Sequence, residues 1–525
     1  MAPLSSAVST YTESPSRLAG VLILGTVFLW IAQKLYHALT SPLRKIPGPF
    51  WSHVTHYPLK WAVITGRRTH FIHDLHLRYG SIVRISPWEV ACCDAEAART
   101  IHRPGSGFVK TKWYKTFADA DHEGIFDMSD TKKHASRRRL MARAFSKSEI
   151  RGRWEGMVQE KVRLALWRID KEVSDEGQAD LLKWWTFMAT DVSGTFMFGE
   201  SFNMLEYGKK NDYIHVLENV IVGGGIRAEL PLLCRIGQHL PITACQNMFN
   251  STYKITQYGT KAVLNSRRKQ PDDSSTTGPG TTIFAQLDPD ELAHTAYPLT
   301  DADINREAGN FIVAGSDTTA VTLTYLTWAI LRRPSLHRSL VREVSSLSEP
   351  FSDAVIEASC PFLNASITEA LRLYGAAPGS LPRTHPTSPT TLAGFTVPAG
   401  VTVSTQAWSL HRDASAYPNP ESFEPERWLE QQPGSTSPAP SFPTSATHFQ
   451  PFGVGPRTCL GLHLAMMELR VAMARFLAAF GERAGLAKDM SDEEMEVVNF
   501  FLIRPKGERC SVVLSEAEGG MKELR

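Results

Sequence analysis

The chain has 525 residues, 42% hydrophobic and 21% charged, which excludes a disordered, collagen-like or small disulfide-stapled protein and requires a large core. Its 56 Lys and Arg against 54 Asp and Glu leave a formal charge of +2, too weak a field to argue for a nucleic-acid partner. The seven cysteines (92, 93, 234, 245, 360, 459, 510) are odd in number and show no C-x-x-C spacing, so no disulfide framework is expected and reducing, cytosolic surroundings fit best.

The first predicted element is a membrane-spanning helix. Leu18 to Ala32 carries no charge, and the run extends to Leu39 if Gln33 and Lys34 reach the far interface. A signal peptide would end in a small-residue cleavage site, whereas Trp30, Lys34 and Tyr36 follow here. Lys34, Arg44 and Lys45 lie after the segment and only Arg17 just before it, which places the bulk of the protein in the cytosol. Pro47-Gly48-Pro49 reads as a stiff joint between an anchor with its linker (1–46) and one large domain (47–525).

Beyond the joint, helical patterns dominate, with Val/Ile/Thr runs at Ser81 to Cys93 and Leu392 to Val403 that read as strands. The expected fold is mainly α with a small β-sheet region. Residues 270–280 and 431–447, rich in Pro, Ser, Thr and Gly, read as surface loops.

Thr300 to Arg333 predicts one long helix, capped by Thr300 and Asp303 and stopped by Pro334. Its centre, Ala314-Gly315-Ser316-Asp317-Thr318-Thr319, is polar where a core helix prefers Leu or Ala. Thr318 can compete for the Ala314 carbonyl, loosening the ladder and opening a notch for dioxygen or water. Glu369 and Arg372 are spaced to pair on one helix face, and Pro425-Glu426-Arg427-Trp428 follows. His411-Arg412-Asp413 echoes a kinase tripeptide, but Pro418 stands where that motif needs asparagine, so the match is by chance.

Residues 452 to 461 read Phe-Gly-Val-Gly-Pro-Arg-Thr-Cys-Leu-Gly, a turn-rich loop leading into a helical pattern from Leu462 to Phe480. Cys459 at this helix start is expected to have a lowered thiol pKa. Gly453 and Gly455 permit turns that bring amides near the sulfur, Phe452 can shield it, and Gly461 leaves room for a large flat cofactor. One cysteine without a neighbouring ligand cannot complete a zinc site, but it suffices as the axial ligand of haem iron.

The ten-residue string resembles the haem-binding loop of the cytochrome P-450 superfamily, F-G-x-G-x-R-x-C-x-G, at every fixed position. The likeness extends from Pro47 onward and is strongest to microsomal, filamentous-fungal members. It implies the cytochrome P-450 fold, haem b, and Cys459 as the metal ligand. Ala314 to Thr319 resembles the oxygen-activating motif A/G-G-x-D/E-T-T/S, so Thr318 with Asp317 would deliver protons while Ala314 and Gly315 border the substrate. Glu369, Arg372 and Arg427 would form the structural lock of the E-x-x-R and P-E-R-F motifs, with Trp428 in place of Phe. Arg457 and Arg383 would hold haem propionates, joined by His134 and Arg138, whose segment resembles W-x-x-x-R with His for Trp. Arg137 and Arg139 read as surface charges.

The implied activity is mono-oxygenation, hydroxylation or epoxidation, of a hydrophobic small molecule such as a terpenoid, polyketide or alkaloid. No flavin or nicotinamide motif is present, so a separate NADPH-dependent reductase in the endoplasmic reticulum membrane is expected. The variable segments Pro104 to Phe126 and Phe202 to Leu240 suggest a bulky apolar ligand. Two alternatives remain open: a peroxide-driven isomerase or dehydratase, which would not need the Asp317-Thr318 pair, and a non-enzymatic haem sensor.

Overall fold

The computed structural model describes residues 15–118, 122–210, 212–268, 282–283, 297–429 and 448–516, so the loops expected at 270–280 and 431–447 lie outside the described residues. Helix α1 (Pro15–Thr40) contains the apolar stretch, none of which is buried against the rest of the protein. Its 23 residues Leu18–Thr40 span about 35 Å at about 1.5 Å per residue, enough for a hydrocarbon core of about 30 Å. A helix with Leu24 and Phe28 about 70% exposed fits a membrane anchor. The joint after it is tied down: the Arg84 amide donates to the Pro47 carbonyl at 2.8 Å, and Arg84 Nη2 donates to Ser41 Oγ at 3.1 Å.

The main sheet joins β1 (Ile82–Ser86), β2 (Glu89–Cys92), β3 (Val109–Lys110), β5 (Arg383–Thr384) and β8 (Thr402–Thr405), in the order β1-β2-β8-β5-β3, whereas β4 (Ala179–Asp180) belongs to another sheet. The run read as one strand, Ser81 to Cys93, is a tight antiparallel hairpin of β1 and β2, because Pro87-Trp88 turns the chain. Leu392 to Val403 likewise divides, between a hairpin of β6 (Thr390–Leu392) with β7 (Phe395–Val397) and the strand β8. Strand β8 runs parallel to β2 and antiparallel to β5, which carries Arg383 into the interior.

The helices that shape the site are α2 (Lys112–Ala118), α3 (Thr131–Ala142), α4 (Glu155–Glu176), α5 (Leu181–Phe198), α6 (Asp212–Glu229), α7 (Ser251–Arg268), α8 (Asp301–Leu331), α9 (Pro361–Tyr374) and α10 (Leu462–Phe480), among further helices such as Arg68–Tyr79 and Pro334–Ser345. Helix α8 starts where expected: Thr300 Oγ1 accepts from the Asp303 amide at 3.2 Å, and Asp303 Oδ2 accepts from the Thr300 amide at 3.0 Å, a reciprocal cap. It is the axle of the core, packed on by α5, α7, α9 and α10. Close approach to α5 depends on Gly315, where a Cβ would collide with Ser193 Oγ. At the α7 crossing a Cβ on Gly259 would stand 2.8 Å from the Gly309 amide nitrogen. Helix α5 is buried nearly all round, with Trp185, Phe187, Val192 and Phe196 in the core, as its even apolar distribution requires.

Candidate active site

Between α8 and the loop preceding α10 lies a cavity of about 390 Å3. Cys459 borders it, three residues before α10 begins. The loop is held by a bond from the Cys459 amide to the Phe452 carbonyl at 2.8 Å. Gly455 adopts φ +68 and lies against the His102 carbonyl, where no side chain fits. A Cβ on Gly461 would meet no atom closer than 4.0 Å, so the approach beside the sulfur is open.

Two expectations about the sulfur are corrected. Burial pushes the Cys459 thiol pKa up, not down; the Gly461 amide and Arg138 oppose that rise. The amide of Gly453 is not turned to the sulfur, because it donates to the Gln450 carbonyl at 3.0 Å. The Gly461 amide takes that place.

His134, Arg138, Arg383 and Arg457 all line the same cavity. His134 and Arg138 share a face of α3 at i, i+4, and Arg138 Nη1 donates to the Thr458 carbonyl at 2.7 Å, bracing the cysteine loop. Arg383 Nη1 donates to the Tyr114 hydroxyl at 2.7 Å. Lys110 joins them, stacked 4.3 Å from the Tyr114 ring centroid, and nothing in its sequence surroundings had marked it. Among the described residues, no ion pair links Lys110, Arg138, Arg383 or Arg457 to a carboxylate, and Arg457 Nη1 is buried without a hydrogen-bond partner. Burial, with Arg383 adding to it, pushes Arg457 down to about 10, and burial with Arg457 pushes His134 down to about 3, so the imidazole is neutral. Cations gathered in a cavity without carboxylate partners call for an anionic ligand. Together with a sulfur in the same cavity, they fit a haem held at its iron by Cys459 and at its two carboxylates by this cluster.

Arg137, read as a surface charge, is instead buried: its Nη2 stands 2.9 Å from Asp303 Oδ1 and its Nη1 3.1 Å from Glu307 Oε1, tying α3 to α8. The helix periodicity that put His134 and Arg138 on one face could not show which neighbouring turn α8 would cover. Arg139 is exposed, as expected.

Helix α8 presents Ala314, Gly315 and Thr318 to the cavity. Thr318 Oγ1 donates to the Ala314 carbonyl at 2.8 Å, as anticipated, yet α8 stays helical throughout and no notch opens. Thr322, Thr324 and Thr327 make the same i−4 bond, so the helix absorbs these contacts without breaking. Asp317, one residue round the helix, does not border the cavity. Burial, reinforced by Glu218, pushes its carboxyl up to about 7, while Arg504 and Lys210 oppose.

The acid that does line the cavity is Glu468 of α10, 1% exposed. Its Oε2 has no hydrogen-bond partner among the described residues. Burial pushes it up to about 8, opposed by a hydrogen bond with Thr319. The one acid in the otherwise largely apolar stretch Leu462 to Phe480, which also carries Arg470 and Arg475, was the available signal. Folded protein therefore keeps a proton that the unfolded chain releases near its ordinary value of 4.5. Stability from this group is full below that value and declines up to about pH 8. The advantage in Tm of Glu468→Gln over wild type should accordingly grow from pH 5 to pH 8 (on the order of one pH unit either way); a difference independent of pH would refute the assignment.

Glu369, Arg372 and Arg427 converge near the C-terminal end of α9. Arg372 Nε and Nη2 donate to the two Glu369 oxygens at 2.8 Å each, and Arg427 Nε donates to Glu369 Oε1 at 3.1 Å. Trp428 Nε1 donates to Glu369 Oε2 at 2.8 Å, so the Trp that replaces Phe adds a bond. His411, set aside as a chance match, connects this cluster to the cysteine loop: its Nδ1 meets the Arg372 carbonyl at 2.7 Å and its Nε2 accepts from the Gln450 amide at 2.8 Å.

Comparison with known proteins agrees with this geometry. A family model described as cytochrome P-450 matches residues 45–509. The cytochrome P-450 monooxygenase tazI of Aspergillus terreus is 38% identical over 505 residues, covering 96% of this chain and 99% of that protein. The cytochrome P-450 monooxygenase stcB of Emericella nidulans is 35% identical, covering 92% of this chain and 91% of that protein. The cytochrome P-450 monooxygenase aflV of Aspergillus parasiticus is 36% identical, over 92% of this chain and 94% of its own length.

Proposed function

The chain belongs to the cytochrome P-450 family, and from that premise we propose that it is a haem-thiolate monooxygenase that inserts one atom of dioxygen into a hydrophobic small molecule, tailoring a fungal secondary metabolite. The observation that carries this reading is the placement of the Cys459 sulfur in one cavity with four cations, Arg383 buried and Lys110, Arg138 and Arg457 half-buried, that have no carboxylate partner among the described residues. Held there, haem b supplies one-electron chemistry and dioxygen activation, which thiolate donation favours.

The protein's own groups do the rest. Arg457, Arg383, Arg138 and Lys110 bind the propionates, and neutral His134 can donate a hydrogen bond without adding charge. Thr318 spends its hydroxyl proton on Ala314, so its lone pairs face the cavity as acceptors for water or a transferred proton. Asp317, poised near neutral pH, is the reservoir behind it. Residues 1–46 anchor and tether the catalytic domain, 47–525, to the cytosolic face of the endoplasmic reticulum. A separate NADPH-dependent reductase in that membrane supplies the electrons.

The test is the reduced, carbon monoxide-treated spectrum of full-length protein, expected to show a strongly red-shifted Soret band, followed by mass detection of one added oxygen in fungal extracts. A histidine-type spectrum overturns the proposal. In Thr318→Ala, product formed per NADPH consumed should fall about 10²-fold while that spectrum is retained. Unchanged turnover in this variant, without reductase, would favour peroxide-driven chemistry instead.

A further inference from the structure

A second cavity, of about 280 Å3, lies where the anchor helix meets the catalytic domain. Trp30, Gln33, Lys34 and His37 of α1 form one wall, and His53 and Trp88 of the domain face them. None of the residues lining it is acidic. Lys34 has no carboxylate partner among the described residues, and its ammonium stands 5.8 Å from the Trp30 ring centroid. Its charge reaches the domain: burial first, then Lys60 and Lys34, push the His56 imidazole below its ordinary range. His53 adds a donor. Arg84, 1% exposed, donates from Nη1 to His53 Nδ1 at 2.9 Å, and a guanidinium cannot accept. The ring proton therefore sits on Nε2, which makes no hydrogen bond among the described residues. Burial, with Arg84 adding to it, lowers the His53 pKa, so this donor is neutral. A cation, a neutral N–H and the Gln33 amide thus border one small space without an acid, which calls for an anion with several acceptor oxygens.

The depth of the cavity selects the anion. Lys34 lies about 24 Å along α1 from Leu18, at about 1.5 Å per residue, and its stem carries the ammonium outward to the edge of a hydrocarbon core about 30 Å thick. The cavity opens there, at the level of the lipid headgroups. We propose that it receives the headgroup phosphate of an anionic phospholipid from the leaflet in which α1 is anchored, so that this lipid bridges anchor and domain. A soluble phosphate would leave the indoles of Trp30 and Trp88, 57% and 61% exposed, in water. A lipid covers them with its glycerol and first methylenes, an environment that indoles favour.

The inference rests on the reading of α1 as a membrane anchor, so the experiment begins with flotation of full-length holoprotein on neutral phosphatidylcholine vesicles; failure to float sinks that reading and the proposal with it. Protein in detergent micelles is then titrated with dioleoylphosphatidylglycerol or dioleoylphosphatidylcholine, and lipid adducts are measured by native mass spectrometry. Wild type should retain phosphatidylglycerol with about tenfold preference. Lys34→Gln should reduce the preference to about twofold or less, whereas Lys45→Gln, which removes an exposed charge outside the cavity, should leave it unchanged. His53→Asn keeps an acceptor for Arg84 and the net charge but withdraws the Nε2 donor; it should weaken phosphatidylglycerol binding about fivefold. Equal affinities in wild type, equal losses in the two lysine variants, unchanged binding in His53→Asn, or displacement of the adduct by millimolar glycerol 3-phosphate overturns the proposal.

Discussion

Cys459→Ser protein is expected to lose the red-shifted Soret band and oxygen insertion together, with turnover below about one thousandth of wild type, equivalent to about 4 kcal/mol of lost transition-state stabilisation. Cys459 is the only thiol lining the cavity among the described residues. A serine hydroxyl has nearly the same shape, and the amide bond to the Phe452 carbonyl that sets the loop does not involve the side chain. The substitution therefore leaves the loop in place and removes only the electron-rich ligand. Far-UV circular dichroism should match wild type. Retained native colour and turnover would refute the assignment of the ligand and, with it, the proposed reaction.

The second large effect is on folding. Glu369→Ala or Arg372→Leu should cost about 3–5 kcal/mol, because each leaves a buried charge without its partner. Both side chains are fully buried. Arg372 makes five bonds, two to Glu369 and three to the carbonyls of His411, Pro420 and Ser422. Arg372→Lys should fail almost as badly, since an ammonium cannot reproduce the planar fork. Denaturant unfolding and haem content should fall together, while turnover per bound haem stays close to wild type. A stable, haem-replete but inactive variant would show instead that this cluster takes part in the chemistry.

Much of the site was legible along the chain because its motifs are local. A loop of ten residues carries Cys459, Arg457 and the two positive-φ glycines, and its turns are set by bonds within it, such as the Cys459 amide to the Phe452 carbonyl. The capped start of α8 and the Glu369–Arg372 pair are local for the same reason: an i to i+3 relation survives whatever packs on top. The division of Ser81 to Cys93 into a hairpin was missed because a two-residue turn without glycine gives a weak signal.

What residue order alone determined was the family of the chain, the cysteine loop whose sulfur we propose as ligand, the apolar helix at the start and the cations near that loop, all properties of type and spacing. Only tertiary packing decided which way each helical face points. It turned Arg137 inward onto Asp303 and Glu307, carried Asp317 off the cavity, and brought Glu468 and Lys110 to it. A charge on a helix reads the same whether it meets water or a neighbour, because burial is conferred by elements far away in the chain, and the desolvation that shifts its proton affinity comes with them.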